Sequence, residues 1–326
     1  MTRRKINHSD RILGALWGAL AGDALGVPVE FQSRETVREN PVTGMRGFGT
    51  HRQPAGTWSD DSSLLLCTVE SLAHAGGLDT ADLGERFVRW ERDGYWTPHG
   101  DVFDIGLTTA RAISQIASGI PPEGAGGADA NSNGNGSLMR IIPIALWFQG
   151  DSVEAIAEHA QRASSLTHRH PRSQLACAFY CLLARELLHG ASREDGLRAA
   201  FDAFSRIYTH TPFAEEMPHF RLLNPEALEK LPETEIASSG YVIHTLLASV
   251  WCLLTSQTFE ETLLKAVNLG GDTDTTGTVA GGLAGAYYGM KAIPLFWEQL
   301  LARHDDVESL FARFSARLQS RLETSI

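Results

Sequence analysis

Two short stretches of the chain set carboxylates beside hydroxyls at the head of an apolar segment. In "GTWSDDSSLLLCTVESL", Ser59, Asp60 and Asp61 precede a hydrophobic run, and in "NLGGDTDTTGTVAGGLAGAYYG", Asp272, Asp274 and Thr275 precede another. Either cluster alone reads as helix capping, because Ser and Asp are favoured N-caps and acids there complement the helix dipole. The pair asks for more. Four aspartates gathered at a buried site would repel one another and carry a large desolvation cost unless a cation compensates. Carboxylate and hydroxyl oxygens are hard ligands, suited to Mg²⁺ or Mn²⁺ and not to zinc. Both clusters are therefore expected to face metal ions that they share. His168 and His170 lie two apart but lack cysteine or further histidine partners, so a zinc site is rejected.

The elements that must hold these groups read as helices nearly throughout. Residues 151 to 166 open with Asp151 and Glu154 in capping-box spacing and place Val153, Ile156, Ala157, Ala160 and Ala163 on one stripe. Residues 307 to 318 repeat the logic with Val307, Leu310, Phe311, Phe314 and Leu318. Further helices are expected near 61–75, 104–117, 137–149, 171–189, 193–206, 240–255 and 258–268. No alternating run makes a strand. The fold class is all-α. Residues 121–136, rich in Gly, Asn and Pro, make a loop, and 209–238 an irregular excursion with one short helix. Apolar helices continue on both sides, so 1–326 reads as a single domain. Gly14, Gly18, Gly22 and Gly26 recur every four residues, as do Gly277, Gly281, Gly285 and Gly289. These columns predict two neighbouring central helices that cross antiparallel with closely approaching backbones.

The bulk numbers exclude some partners. Of 326 residues, 43% are hydrophobic and 21% charged, an ordinary globular balance. Lys+Arg 28 against Asp+Glu 39 gives a net charge of -11, and no basic patch relieves it, which argues against nucleic acid. Cys67, Cys177, Cys181 and Cys252 form no Cys-x-x-Cys pair and read as reduced core thiols of a cytoplasmic protein. The opening "MTRRKINHSDRILGALWGALAGDA" has the outline of a secretory leader, but Asp10, Arg11 and Asp23 and a helical apolar face speak against one. No stretch reads as long and uncharged enough to span a bilayer, so no membrane is expected.

The blocks "GALAGDALGVPVEF", "GTWSDDSSLLL", "FDIG", "NGNGSLMRIIPIAL", "LTHRHP", "GYVIHTLLASVW" and "GGDTDTTGTVAGGLAGAYYG" resemble the ADP-ribosylglycohydrolases, which include dinitrogenase-reductase-activating glycohydrolase. The resemblance runs from about residue 10 to 290, with the blocks in the family's order. It implies a compact all-α domain with two Mg²⁺ or Mn²⁺ ions, held by Ser59, Asp60 and Asp61 on one side and Asp272, Asp274 and Thr275 on the other. Relatives more often have Thr where this chain has Ser59. Glu30 matches a glutamate on a mobile loop near the scissile bond, the alternative being a surface acid after Pro28. Asp104 is a general-base or ribose-binding candidate, or else caps the helix that follows. Asn133, Gly134, Asn135, Gly136 and Ser137, with the helix N-terminus behind them, would cradle a diphosphate, a plain turn being the alternative. His168 would contact substrate, with His170 a bystander. Tyr241 would stack on adenine or else be a core aromatic. Gly271 belongs to the same binding set.

The implied activity removes ADP-ribose from a modified protein or small conjugate by cleaving the bond at the anomeric carbon of the distal ribose. Arginine-linked ADP-ribose leads; serine-linked or other O-linked ADP-ribose is the alternative. A metal-dependent phosphohydrolase would release AMP and ribose phosphate instead. A non-catalytic binder would be favoured by loss of a metal-site acid, and all four aspartates are present.

Overall fold

The computed structural model describes residues 6–324. Among them there are helices and 3-10 turns but no β-strand, only isolated bridges such as Gly134 with Tyr241 and Gly127 with His168. The fold is built around two helices, His8–Gly26 and Thr273–Tyr288, each buried on nearly all sides. A Cβ placed on Gly14 would lie 2.5 Å from the Gly285 carbonyl oxygen, on Gly18 2.4 Å from that of Gly281, and on Gly22 2.0 Å from that of Gly277. The pairing is antiparallel, and at each of these three glycines the nearest atom is the carbonyl oxygen of the facing helix. Trp17 turns away to stack on His304 at 4.9 Å and meet Phe311 edge-on at 5.2 Å. Glycine costs about 1 kcal/mol per helix-interior site relative to alanine. Here any side chain would force the backbones apart, and the approach supplies compensating packing. Gly289, last of its column, instead ends the helix at φ 77.

Polar contacts lock both ends of the pair. Arg11 donates to the Ala286 and Tyr287 carbonyl oxygens at 2.8 and 2.7 Å, satisfying the C-terminus of one helix from the first turns of the other. At the opposite end Thr273 Oγ1 donates to the Gly26 carbonyl at 2.8 Å. The first helix and its extension, His8–Val29, are long and apolar enough by composition to cross a membrane, contrary to the sequence expectation, but 94% of its most apolar 18-residue stretch is buried inside the protein.

Most other expected helices are present, but the short helices Arg34–Glu39 and Leu295–Leu300 add to them, Pro122–Ala125 is helical inside the expected loop of 121–136, and three further differences have a local cause. The helix Val153–Ser165 is capped by Ser152, which accepts from Ala155 N at 3.2 Å, while Asp151 pairs with Arg321 at 2.7 Å. Residues 137–149 hold helix only over Ile142–Trp147. Pro143 lacks an N–H and suits a first turn, so the helix starts there and not at Ser137. A helix at Thr80–Asp93, capped by Asp79, was not anticipated although Leu83, Phe87 and Trp90 mark its buried face. The 209–238 excursion carries a 3-10 segment, Pro212–Leu223, then the short helix Pro225–Leu228 and a 3-10 turn at Glu233–Glu235.

Candidate active site

The helix Asp60–Ala75 and the helix Thr273–Tyr288 bring their N-termini together at one cavity of about 650 Å³. Thr275 Oγ1 lies 3.4 Å from Asp61 Oδ1 across 214 residues of sequence. Asp60, Asp61, Asp272 and Thr275 line the cavity, and Asp274 lies fully buried beneath it. Oxygens of Glu30, Asp272 and Asp274 fall within 4.8 Å of one another. Ser59 is the N-cap of its helix and accepts from Asp61 N at 3.2 Å.

These acids are charged at a cost. Burial, then the charges of Asp104, Asp23 and Asp272, raises the Asp60 carboxyl well above the usual range, and burial followed by Asp23 and Asp60 does the same to Asp61. Burial, then Glu30 and Asp61, raises Asp274. Asp61 Oδ2, Asp272 Oδ1 and Asp274 Oδ2 are buried with no hydrogen-bond partner among the described residues. Orphaned buried oxygens of this kind are expensive, and three of them at the starts of two helices beside one cavity fit a hard divalent cation. The residues present therefore suit a metal.

Several residues fix these acids in place. Asp23, from the end of the first helix, accepts from Ser59 N at 3.0 Å, Ser62 N at 2.9 Å and Ser62 Oγ at 2.6 Å, so one helix caps another. Burial raises its pKa to about 6 against those hydrogen bonds. Asn135 Nδ2 donates to Asp272 Oδ2 and to Thr245 Oγ1, both at 2.8 Å. Gly271 accepts from Phe31 N at 2.7 Å and donates to the Gln32 carbonyl at 2.8 Å, clamping the Glu30 loop onto the Asp272 turn. At φ 73, with a Cβ only 2.2 Å from the Ser238 oxygen, that position requires glycine.

Glu30 is buried at the cavity and is not a surface acid. His51 Nε2 meets Glu30 Oε2 at 2.5 Å and lies 3.9 Å from Asp104 Oδ1. Burial, then the Asp104 and Asp272 charges, pushes Glu30 up to about 10. Burial also raises Asp104, opposed first by His51. Asp104, at φ 64, does not cap the following helix, Leu107–Ala117, whose N-cap is Gly106. His51 sits in no motif, and only the three-dimensional approach of its loop reveals it.

The expected diphosphate cradle is rearranged. Gly134, Asn135 and Gly136 line the cavity with His168, but the helix behind them begins only at Ile142, so its N-terminus is not at their backbone N–H groups. Ser137 is fully buried, against Ser164 Oγ at 2.8 Å and Cys177 Sγ at 3.4 Å, and does not face the cavity. Asn133 turns its side chain to the Ala130 carbonyl. His170 is not a bystander: it caps the helix Pro171–Leu188 by accepting from Arg172 N at 3.1 Å. Tyr241 is half-buried in a neighbouring cleft, its hydroxyl accepting from Arg172 at 3.0 Å.

The family model for ADP-ribosylglycohydrolases matches residues 4–323. The chain is 34% identical over 305 residues to the ADP-ribosylarginine hydrolase Tri1 of Serratia proteamaculans (strain 568), covering 92% of this chain and 78% of that protein. It is 32% identical over 292 residues to the ADP-ribosyl-[dinitrogen reductase] glycohydrolase of Rhodospirillum rubrum, with 88% and 89% covered. A solved structure named "ADP-ribosylglycohydrolase-related protein complex" has a TM-score of 0.80 at 36% identity, over 95% of this chain and 99% of that one. The likeness takes in both aspartate clusters and the helices that carry them, and on that footing the chain belongs to the ADP-ribosylglycohydrolase family of enzymes.

Proposed function

We propose that the protein is a Mg²⁺- or Mn²⁺-dependent hydrolase that releases ADP-ribose from ADP-ribosylated arginine. The observation that carries this reading is the convergence of Asp60, Asp61, Asp272 and Thr275 on one cavity, with orphaned carboxylate oxygens and Glu30 beside them. The arginine linkage is favoured by the likeness to the ADP-ribosylarginine hydrolase Tri1. Ser59, Asp60, Asp61, Asp272, Asp274 and Thr275 would hold two ions. When bound, such ions orient ribose hydroxyls and lower the pKa of bound water.

The protein's own groups then divide the proton work. Glu30 is the more strongly biased to carry a proton, and it protonates the departing guanidine nitrogen. Asp104, whose ionised form His51 favours, accepts the proton of the attacking water. The C–N bond at the anomeric carbon breaks, a C–O bond forms there, and the transition state has oxocarbenium character. Gly134, Gly136 and His168 border the bound ADP-ribose, and Tyr241, in the cleft reached past Gly240, takes the adenine. A reducing, cytoplasmic setting suits the four free, buried cysteines.

Mass-spectrometric product analysis tests the reading. Arginine-linked and serine-linked ADP-ribosyl peptides are incubated separately with Mg²⁺, with Mn²⁺ and with chelator. Intact ADP-ribose released from the arginine peptide, and only with metal, is the expected result. Preferential cleavage of the serine peptide overturns the linkage, and AMP with ribose phosphate overturns the bond assignment.

A further inference from the structure

A buried cation lies behind the cavity wall. Arg140 is buried, stacked by its guanidinium over the Phe87 ring at 4.4 Å, and has no carboxylate partner among the described residues. Its Nη2 donates to Thr167 Oγ1 at 2.8 Å and to the Ala163 carbonyl at 3.3 Å. Thr167 Oγ1 in turn lies 2.9 Å from His168 Nδ1. The far ring nitrogen, Nε2, has no hydrogen-bond partner among the described residues, and His168 lines the cavity. A Cβ at Gly136 would lie 2.8 Å from His168 Cε1, and one at Gly134 3.5 Å from Nε2, so the two glycines leave this edge of the ring uncovered.

We propose that Arg140 and Thr167 are positioning residues that fix His168 as its Nε2–H tautomer, so that the cavity presents a neutral hydrogen-bond donor to an acceptor oxygen of ADP-ribose. The direction follows from donor and acceptor inventory. A guanidinium can only donate, so Thr167 Oγ1 accepts from Arg140. The hydroxyl proton then needs an acceptor in a fully buried place. Nδ1 provides one if it is unprotonated. Were Nδ1 to carry the proton, both neighbours would donate to the same oxygen. The hydroxyl proton would be left unpaired, because Thr167 Oγ1 makes no hydrogen bond to a carbonyl among the described residues. The free-energy cost of an unpaired buried donor biases the ring toward Nε2–H by roughly 5- to 150-fold.

The charge state agrees with that geometry. Burial, then the positive charge of Arg140, lowers the His168 pKa to about 3, so the imidazole is neutral throughout the physiological range. Arg140 thereby acts twice on the same ring. Through Thr167 it orders the tautomer, and through its field it adds to the burial that keeps the ring uncharged.

The part of the inference that concerns ADP-ribose rests on the proposed function; the tautomer does not. Nitrogen-15 histidine NMR on the ligand-free full chain reads the tautomer, and calorimetry with free ADP-ribose in the presence of Mg²⁺ reads its use. In the wild type His168 should show a protonated Nε2 and an unprotonated Nδ1, unchanged from about pH 5 to 8. Thr167→Val should lose the tautomer preference and weaken ADP-ribose binding roughly 2- to 10-fold, the worth of one hydrogen bond. Thr167→Ser keeps the hydroxyl and should restore both readouts, which a purely steric role for Thr167 would not require. A wild-type Nδ1–H or doubly protonated ring overturns the proposal, as does a Thr167→Val protein with the wild-type tautomer and affinity. A wild type with the expected tautomer that binds ADP-ribose but cleaves no arginine conjugate contradicts the proposed function alone.

Discussion

Glu30 and Asp274 are both buried acids of the same cavity, yet their loss should be felt differently. Asp274→Asn removes a charge from the group that compensates a cation, so hydrolysis should be abolished and Mn²⁺ affinity reduced while circular dichroism keeps its helical form. Glu30→Gln keeps shape and hydrogen bonding but not the transferable proton. Turnover should fall by roughly 10²–10⁴-fold, the usual worth of a general acid or base, with metal affinity retained. Steady-state kinetics alongside metal titration separates the two outcomes. Legibility at this scale followed local pattern. The aspartates announced themselves because two acid–hydroxyl clusters each lead an apolar helix. Asp23 stood in the sequence without a role, since nothing local shows that it accepts from Ser59 and Ser62. His51 carried no signal at all, and Ser137 and Asn133 matched a motif whose helix starts further on, at Ile142.

At the scale of elements, the glycine-faced pair sets where the acids stand. The first helix ends at Gly26, just before the Glu30 loop, and its partner begins with Thr273 and Asp274. Gly18→Ala puts a Cβ 2.4 Å from the Gly281 oxygen, and overpacking of this kind costs about 1–3 kcal/mol. Denaturant unfolding should record that loss, together with weaker metal binding as the two helix ends separate. Gly77→Ala, where a Cβ meets nothing within 4 Å, is the control and should leave both unchanged. The columns were readable because a four-residue glycine repeat has little purpose in a helix except close approach. The Thr80–Asp93 helix has the apolar spacing of an amphipathic helix in Leu83, Phe87 and Trp90, and the Ile142 helix starts late because Pro143 outweighs the turn-forming residues ahead of it.

For the whole molecule, the two clusters join distant parts of the chain, so metal, pH and stability are linked. Glu30 titrates near 4.5 when unfolded but is pushed up to about 10 by burial and its neighbours, and Asp60, Asp61 and Asp274 are raised as well. The folded, chelator-treated protein thus binds more protons than the unfolded chain. Stability is fully present below pH 4.5 as far as Glu30 is concerned and is lost as pH rises toward about 10. Thermal melts of chelated protein should fall across that window. A divalent cation at 100 times its Kd should add about 2.7 kcal/mol and flatten the dependence. The central claim, that Asp60, Asp61, Asp272 and Asp274 form one divalent-cation centre, is tested most directly by anomalous diffraction at the manganese edge from crystals soaked in Mn²⁺. Manganese peaks bounded by carboxylates of both helix starts are the predicted result. No peak there in crystals whose dissolved protein hydrolyses its substrate, or a peak held by Glu30, His51 and Asp104 alone, would contradict the account.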